Sequence, residues 1–155
     1  MKSIFFDMDG VLVEYNSALK YVDEKTKAQY EGHYQDIPGF FSMMNPMPGA
    51  IEAVRRLAKH YDVYILSTAP WNNPSSWGDK RNWAVKYFGD TFFKRIILTH
   101  RKDLVEGDYL IDDSGWNGAS SFKGEWIKFG SGKFPDWESV VSYLLRKDHI
   151  ISDKE

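Results

Sequence analysis

The fold is decided near the amino terminus by Lys2-Ser3-Ile4-Phe5-Phe6-Asp7-Met8-Asp9-Gly10-Val11-Leu12. A short apolar run that is bounded by glycine is typical of a buried strand. Because alternate side chains of a strand share a side, Asp7 and Asp9 project together from its carboxyl end. Gly10 lets the chain leave the sheet in a conformation that other residues resist. Open α/β sheets bind ligands at that edge, so the stretch predicts a site around these two carboxylates.

The spacing of the two carboxylates also indicates a cation. Like charges this close repel each other, unless a pKa rises or a cation lies between them. Mg²⁺ accepts one or two carboxylates and keeps its other positions for water and substrate phosphate. Taken alone, the same residues fit an ordinary polar turn equally well. An EF-hand loop is excluded, because Val11 and Ala18 stand where that loop needs ligands.

The composition bounds the class of protein. A chain of 155 residues, 27% of them charged, fits one globular domain, residues 1–155. The net charge of −2 gives no reason to expect a nucleic-acid polymer or an anionic membrane as partner. The chain has no Cys, which excludes a disulfide framework and thiol catalysis and suits a reducing compartment. With no leader pattern and no apolar run of membrane-spanning length, a cytoplasmic enzyme or binding domain is expected.

The rest of the chain alternates strands and helices. Further strands are predicted over 62–68, 95–99, 109–114 and 126–129, and helices from Pro48, over 79–88 and from Pro135. This order calls for right-handed crossovers and a parallel sheet. We therefore predict an α/β fold with a parallel sheet of about five strands and helices on both faces. We expect the sheet to be Rossmann-like, which implies the strand order 3-2-1-4-5. The charged tail from Arg146 is expected to fray.

An insertion follows the first strand, approximately residues 14–46. Its polar part, 16–34, is predicted as a weakly amphipathic helix or two short ones. It is interpreted as a small helical cap above the carboxylates, with an exposed connecting helix as the alternative. The following loop, 38–49, is unusually apolar, and its aromatic residues could equally pack on the core or form one wall of a substrate pocket.

Polar side chains stand at the ends of four predicted strands. They are Asp7 and Asp9, Ser67 and Thr68, Lys102, and the pair Asp112 and Asp113. Each has an ordinary explanation as a cap, a turn or a solvated charge. Their coincidence is specific, because one crevice collects the carboxyl ends of successive parallel strands.

In this order, the motifs resemble the four signature motifs of the haloacid dehalogenase-like (HAD) hydrolases, over residues 4–114. Further segments resemble the 5′(3′)-deoxyribonucleotidases, which are Mg²⁺-dependent phosphatases of nucleoside monophosphates. These segments are Pro38-Gly39-Phe40-Phe41, Pro46-Met47-Pro48-Gly49-Ala50, Gly78-Asp79-Lys80-Arg81-Asn82-Trp83, Arg95-Ile96-Ile97-Leu98-Thr99 and Leu110-Ile111-Asp112-Asp113.

The resemblance implies a role for each motif residue. Asp7 would attack phosphorus, and Asp9 would act as the general acid and then as the general base. Mg²⁺ would be held by Asp7, the backbone carbonyl of Asp9 and a residue of the Asp112–Asp113 pair. The phosphate would be bound by Ser67, Thr68, Lys102 and, as a weaker assignment, Lys80. The implied substrate is a small phosphomonoester, a nucleoside monophosphate in particular.

Two departures from the family bear on specificity. The insertion is markedly shorter than in animal members, so the cap is reduced. His100 stands where relatives tend to have Arg, and a partly charged His would let phosphate affinity fall as pH rises. Phe40, Phe41, Trp71 and Trp77 are candidates for stacking on a base, with core packing as the alternative.

Two other functions remain as alternatives. One is a HAD phosphatase acting on a sugar phosphate or another small phosphorylated metabolite. The other is a phospho-receiver signalling domain, which also uses a parallel sheet, Mg²⁺ and an acceptor Asp. Receivers carry that Asp on a middle strand, whereas the middle strand here ends in Ser67-Thr68, so the motif order favours the hydrolase.

Overall fold

A five-stranded parallel sheet forms the centre of the computed structural model, which describes residues 1–152. The strands are β1 (Ser3–Phe6), β2 (Val13–Glu14), β3 (Asn45–Pro46), β4 (Asp62–Ser67), β5 (Ile96–Leu98), β6 (Tyr109–Asp112) and β7 (Glu125–Lys128). The α-helices are α1 (Glu24–Gln29), α2 (Ala50–Leu57), α3 (Ser75–Phe88) and α4 (Trp137–Lys147). The sheet order β5-β4-β1-β6-β7 confirms the predicted order 3-2-1-4-5.

The two faces of the sheet are covered unequally. Ile4 and Phe6 of β1 belong to the main core, with the buried faces of α2, α3 and α4, whereas Phe5 points to the other side. That second side carries a smaller cluster, in which Phe122 and the short 3₁₀ helix Ala119–Ser121 pack on the sheet. The alternation follows from the two-residue period of a strand that is buried on both faces.

The observed helix ends differ from the predicted ones. α3 begins at Ser75, before the predicted residue 79, because Pro74 fits a helix start and Gly78 is tolerated inside the helix. The prediction that the tail frays from Arg146 is wrong for the described part. α4 continues to Lys147, and Ile150 and Ile151 pack against the core. The last residues of that tail, 153–155, lie outside the described residues.

The insertion after β1 is built from short helical turns. It contains the 3₁₀ helices Tyr15–Tyr21, Tyr34–Asp36 and Phe40–Ser42 in addition to α1, and the antiparallel pair β2–β3 joins its two ends. α1 has no buried residue, which agrees with the sparse apolar pattern. Phe40, Phe41 and Met44, in contrast, are buried in the main core. That this segment acts as a cap stays a prediction.

None of the helices within residues 1–152 has both the length and the apolar character for crossing a membrane.

Candidate active site

The loop after β1 holds Asp7 and Asp9 in place through backbone bonds. The Asp7 N–H donates to the Ile111 carbonyl (2.9 Å), which extends the parallel pairing beyond β1. The Met8 carbonyl accepts from the N–H groups of residues 11, 12 and 13, so the chain turns tightly. Gly10 adopts a φ of 77° in this turn. The two carboxylates therefore stand at the carboxyl edge of the sheet, as predicted.

Three carboxylates meet at this edge. Asp7, Asp112 and Asp113 each offer an oxygen, and these atoms lie within 4.8 Å of one another. Burial and the negative charge of Asp7 raise the pKa of Asp112 to about 8, and the same causes raise the pKa of Asp113. Such a set of oxygen donors, strained by mutual repulsion, fits a hard cation.

Lys102 is the nearest positive charge to this cluster. Its Nζ lies 2.6 Å from Asp112 Oδ2 and 3.1 Å from Asp7 Oδ1, and the residue is buried. Its backbone N–H donates to the Asn117 carbonyl (2.7 Å), which fixes its position after β5. Burial alone would lower the pKa of Lys102, but Asp7 and Asp112 outweigh it and the pKa is raised. The lysine therefore stays charged beside Asp7.

A second lysine, Lys80 of α3, pairs with Asp9. It is fully buried, and its Nζ lies 3.0 Å from Asp9 Oδ2 and 2.9 Å from Ser67 Oγ. Burial raises the pKa of Asp9, and repulsion from Asp7 adds to this, while Lys80 acts in the opposite direction. Asp9 Oδ1 has no hydrogen-bond partner within residues 1–152. That oxygen is also buried, so its negative charge is neither solvated nor paired, which agrees with the raised pKa of Asp9.

A cleft of about 740 Å³ opens above these groups, within the range of small-molecule sites. The predicted site residues that line it are Asp7, Asp9, Phe41, Thr68, Trp71, His100, Lys102 and Asp113. Ser67, Lys80 and Asp112 are buried next to lining residues. The Thr68 hydroxyl donates to the Thr99 carbonyl (2.7 Å), so its proton is already engaged.

Two of the aromatic candidates do not line the cleft. Phe40 is fully buried in the core, packed edge-on against Tyr15 and Phe41, so the core-packing alternative holds for it. Trp77 is half-buried and lies beside His100, with 6.4 Å between the ring centres. It therefore supports a lining residue and does not face the cleft itself.

The cleft also contains residues that sequence reasoning missed, which are Tyr15, Gln35, Asp36, Trp116 and Asn117. Burial and the charges of Asp9 and Asp36 raise the pKa of Tyr15 to about 12, so its phenol remains a donor. Trp116 is 80% exposed and follows the Asp112–Asp113 pair by three residues. Their only sequence signal is that they lie within the insertion or close to a motif.

Solved structures of HAD-like hydrolases share this fold. The TM-score is 0.57 to the magnesium-bound hydrolase YfnB of Bacillus subtilis, at 13% identity over 92% of this chain and 98% of that one. It is 0.63 to a subfamily IA hydrolase of Geobacter sulfurreducens, at 10% identity over 93% of this chain and 96% of that one. At these identities the likeness concerns the fold, which is that of the HAD-like hydrolases.

Sequence comparison gives the narrower class. The family model "5' nucleotidase, deoxy (Pyrimidine), cytosolic type C protein" matches residues 20–140. A Vibrio phage KVP40 protein named as a 5′(3′)-deoxyribonucleotidase is 54% identical over 145 residues, which cover 94% of this chain and 85% of the relative. The human cytosolic-type 5′(3′)-deoxyribonucleotidase is 27% identical over 177 residues, covering 96% and 83%. The chain therefore belongs to the 5′(3′)-deoxyribonucleotidase family.

Family membership confirms the resemblance found in the motifs. It also confirms the predicted class of enzyme, a phosphatase of the nucleotidase type, over the phospho-receiver alternative.

Proposed function

We propose that this chain hydrolyses nucleoside and deoxynucleoside monophosphates with the help of Mg²⁺, through an aspartyl-phosphate on Asp7. The observation that carries the proposal is the surrounding of Asp7. Its carboxylate lies in the cleft with Lys102 at 3.1 Å and two further carboxylates close by. An enzyme of phosphoryl transfer needs this combination of a positioned nucleophile with cations against developing charge.

The acidic cluster is the proposed Mg²⁺ site. Asp7, the Asp9 carbonyl and one or both of Asp112 and Asp113 would hold the ion. The all-oxygen donor set and the raised pKa values of the Asp112 and Asp113 carboxyls support a hard dication there. When bound, Mg²⁺ supplies positive charge against the phosphate oxygens.

The proposed reaction has two steps. In the first, Asp7 attacks phosphorus and forms an O–P bond, the ester P–O bond breaks, and Asp9 donates its proton to the leaving oxygen. In the second, Asp9 takes a proton from water, which attacks phosphorus and releases inorganic phosphate and free Asp7. The raised pKa of Asp9 supports the first half of this exchange, because the carboxyl must begin protonated.

The phosphate-binding role falls to the residues that surround Asp7 and Asp9. Lys102 balances the charge of the transferring group and of Asp7, and the Ser67 hydroxyl with Thr68 lies at the end of the neighbouring strand. Lys80 donates to both Asp9 and Ser67 and thereby holds their side chains close to each other. Uncatalysed hydrolysis of phosphate monoesters is among the slowest reactions known, so several such contributions are required.

The cleft supports a nucleotide over a smaller substrate. It has room for a base and sugar, and the exposed rings of Trp71 and Trp116 offer aromatic surface on which a base can stack. The proposal also includes a cytoplasmic location for this chain, because the human relative is named as the cytosolic type of the enzyme.

A phosphate-release screen over nucleoside monophosphates and sugar phosphates tests the substrate class. We expect release from nucleoside monophosphates in Mg²⁺, loss of activity in EDTA and recovery when Mg²⁺ is restored. Hydrolysis of a sugar phosphate while all nucleotides stay intact would refute the nucleotide assignment. Activity that is indifferent to chelation would refute the metal assignment.

A further inference from the structure

The side chain of Asn73 connects the loop after β4 to the end of the insertion. Its Nδ2 donates to the backbone carbonyls of Gln35 and Ile37, both at 2.9 Å. Its Oδ1 accepts from the hydroxyl of Ser75 (2.8 Å), and this hydroxyl accepts from the Gly39 N–H (3.0 Å). Asn73 is 1% exposed. Both of its donors and its acceptor are therefore used in a buried network.

The backbone that Asn73 holds carries two side chains of the cleft, Gln35 and Asp36. The 3₁₀ helix Tyr34–Asp36 has no buried residue, and only Tyr34 of its three residues packs against the main core. A single turn of 3₁₀ helix is also weak by itself. Beside the burial of the adjacent Ile37, the two hydrogen bonds from Asn73 are therefore a main constraint on this wall of the cleft.

We infer that Asn73 is a positioning residue, which fixes the Gln35–Asp36 wall of the cleft and thereby sets the affinity for the nucleoside part of the substrate. The inference rests on the proposed function and names the part of the site that recognises the leaving group. Asp36 and the Gln35 amide present acceptor oxygens, which match the N–H donors at the edge of a nucleobase.

The side-chain contacts of Asn73 should affect substrate binding and not the chemical step. Its side-chain hydrogen bonds go to residues 35, 37 and 75, and none of these is Asp7, Asp9 or a lysine of the site. An interaction made equally with bound substrate and with the transition state affects KM and leaves kcat unchanged. Loss of the Asn73 contacts should therefore weaken nucleotide binding, while phosphoryl transfer from a bound nucleotide proceeds as before.

Asn73→Asp is the sharpest test, because it keeps the shape, removes both donors and sets a carboxylate against two carbonyls. Asn82→Asp is the matched control, an exposed position of α3 whose Oδ1 accepts from Arg81 and can still do so as Asp. With deoxyuridine monophosphate as probe, we expect Asn73→Asp to raise KM about tenfold or more and to change kcat less than about threefold, as two lost hydrogen bonds imply. The inhibition constant of inorganic phosphate should stay the same.

Amide hydrogen exchange supplies a readout independent of turnover. In Asn73→Asp, the amides of residues 36, 37 and 39 should exchange faster while those of the sheet keep their protection. Should Asn73→Asp fail to fold, Ser75→Ala weakens the same network from its other end and should shift KM in the same direction by a smaller factor.

An unchanged KM, or a rise in the phosphate inhibition constant together with a fall in kcat, would overturn the inference. Failure of the unaltered chain to hydrolyse any nucleoside monophosphate is a different result, because it refutes the proposed function before any variant is compared.

Discussion

The ammonium group of Lys80 lies 3.0 Å from Asp9 Oδ2, and no part of this lysine is exposed to solvent. Burial and Asp7 push the pKa of Asp9 upward, whereas Lys80 restrains it. The lysine therefore sets the pH range in which Asp9 can hold the proton that its proposed acid role requires.

Replacing this lysine should change the pH profile in a defined direction. Lys80→Met removes the positive charge, so the pKa of Asp9 rises further and the alkaline limb of kcat/KM moves to higher pH. We expect kcat to fall by roughly 10²–10³, as for loss of one stabilising donor. Steady-state rates across pH check both effects. Lys86→Met, an exposed lysine of the same helix, should change neither. An alkaline limb that stays in place would contradict this role of Lys80.

Gly10→Ala should weaken metal binding. A Cβ at residue 10 would lie 2.1 Å from Asp113 Oδ2, and the φ of 77° is unfavourable for Ala. Asp113 must then shift from its position in the acidic cluster, so more Mg²⁺ is needed for half-maximal activity. A Mg²⁺ titration measures this requirement, with Gly132→Ala as control because its Cβ would meet open space. Equal Mg²⁺ requirements for the native chain and Gly10→Ala would count against the acidic cluster as the ion site.

Asp112 should make the metal-free protein sensitive to pH. Burial and the charge of Asp7 raise the pKa of Asp112 from its ordinary value of 3.8 to about 8 in the fold. The folded state therefore binds this proton more tightly than the unfolded state does. Its stabilising contribution is complete below about pH 4 and is lost as pH rises towards 8. In EDTA, Asp112→Asn should therefore gain in Tm relative to the native chain as pH rises through this range.

At pH 8, Mg²⁺ should raise the Tm of the native chain more than that of Asp112→Asn, because the native cluster gains a cation and the variant lacks one of its ligands. Thermal melts with EDTA and with Mg²⁺ provide the comparison. A native chain that Mg²⁺ fails to stabilise would remove the basis for this prediction.

Asp7→Asn should abolish turnover and leave the fold intact, and Asp9→Asn should do nearly the same. Phosphate release measures the first property, and circular dichroism with a thermal melt measures the second. Substantial turnover in Asp7→Asn would exclude attack by this carboxylate.

Much of this site was predictable because it follows strand geometry. Asp7 and the Asp112–Asp113 pair follow the carboxyl ends of two parallel strands that are neighbours in the sheet. Their positions at these strand ends bring the carboxylates together. The buried strands and the amphipathic helices were recognisable by period, which accounts for the correct number of strands in the central sheet.

The wall formed by Gln35 and Asp36 was not predictable. These residues lie on a short 3₁₀ turn without apolar period, and what places them is a hydrogen bond from Asn73, 38 residues away from Gln35 in sequence. Phe40 and Phe41 also show what a sequence pattern does not predict. They are adjacent and chemically identical, and both are buried in the core, yet only Phe41 also reaches the lining of the cleft. Tertiary contacts, which a local pattern does not encode, decide between them.

In the proposed mechanism, Asp7 attacks phosphorus and carries the phosphoryl group before water does. The stereochemical course at phosphorus tests it most directly, with a nucleoside phosphorothioate made chiral by oxygen isotopes and hydrolysed in isotope-labelled water. Two successive in-line displacements predict thiophosphate with overall retention of configuration. Inversion would show a single direct attack by water and would contradict the account.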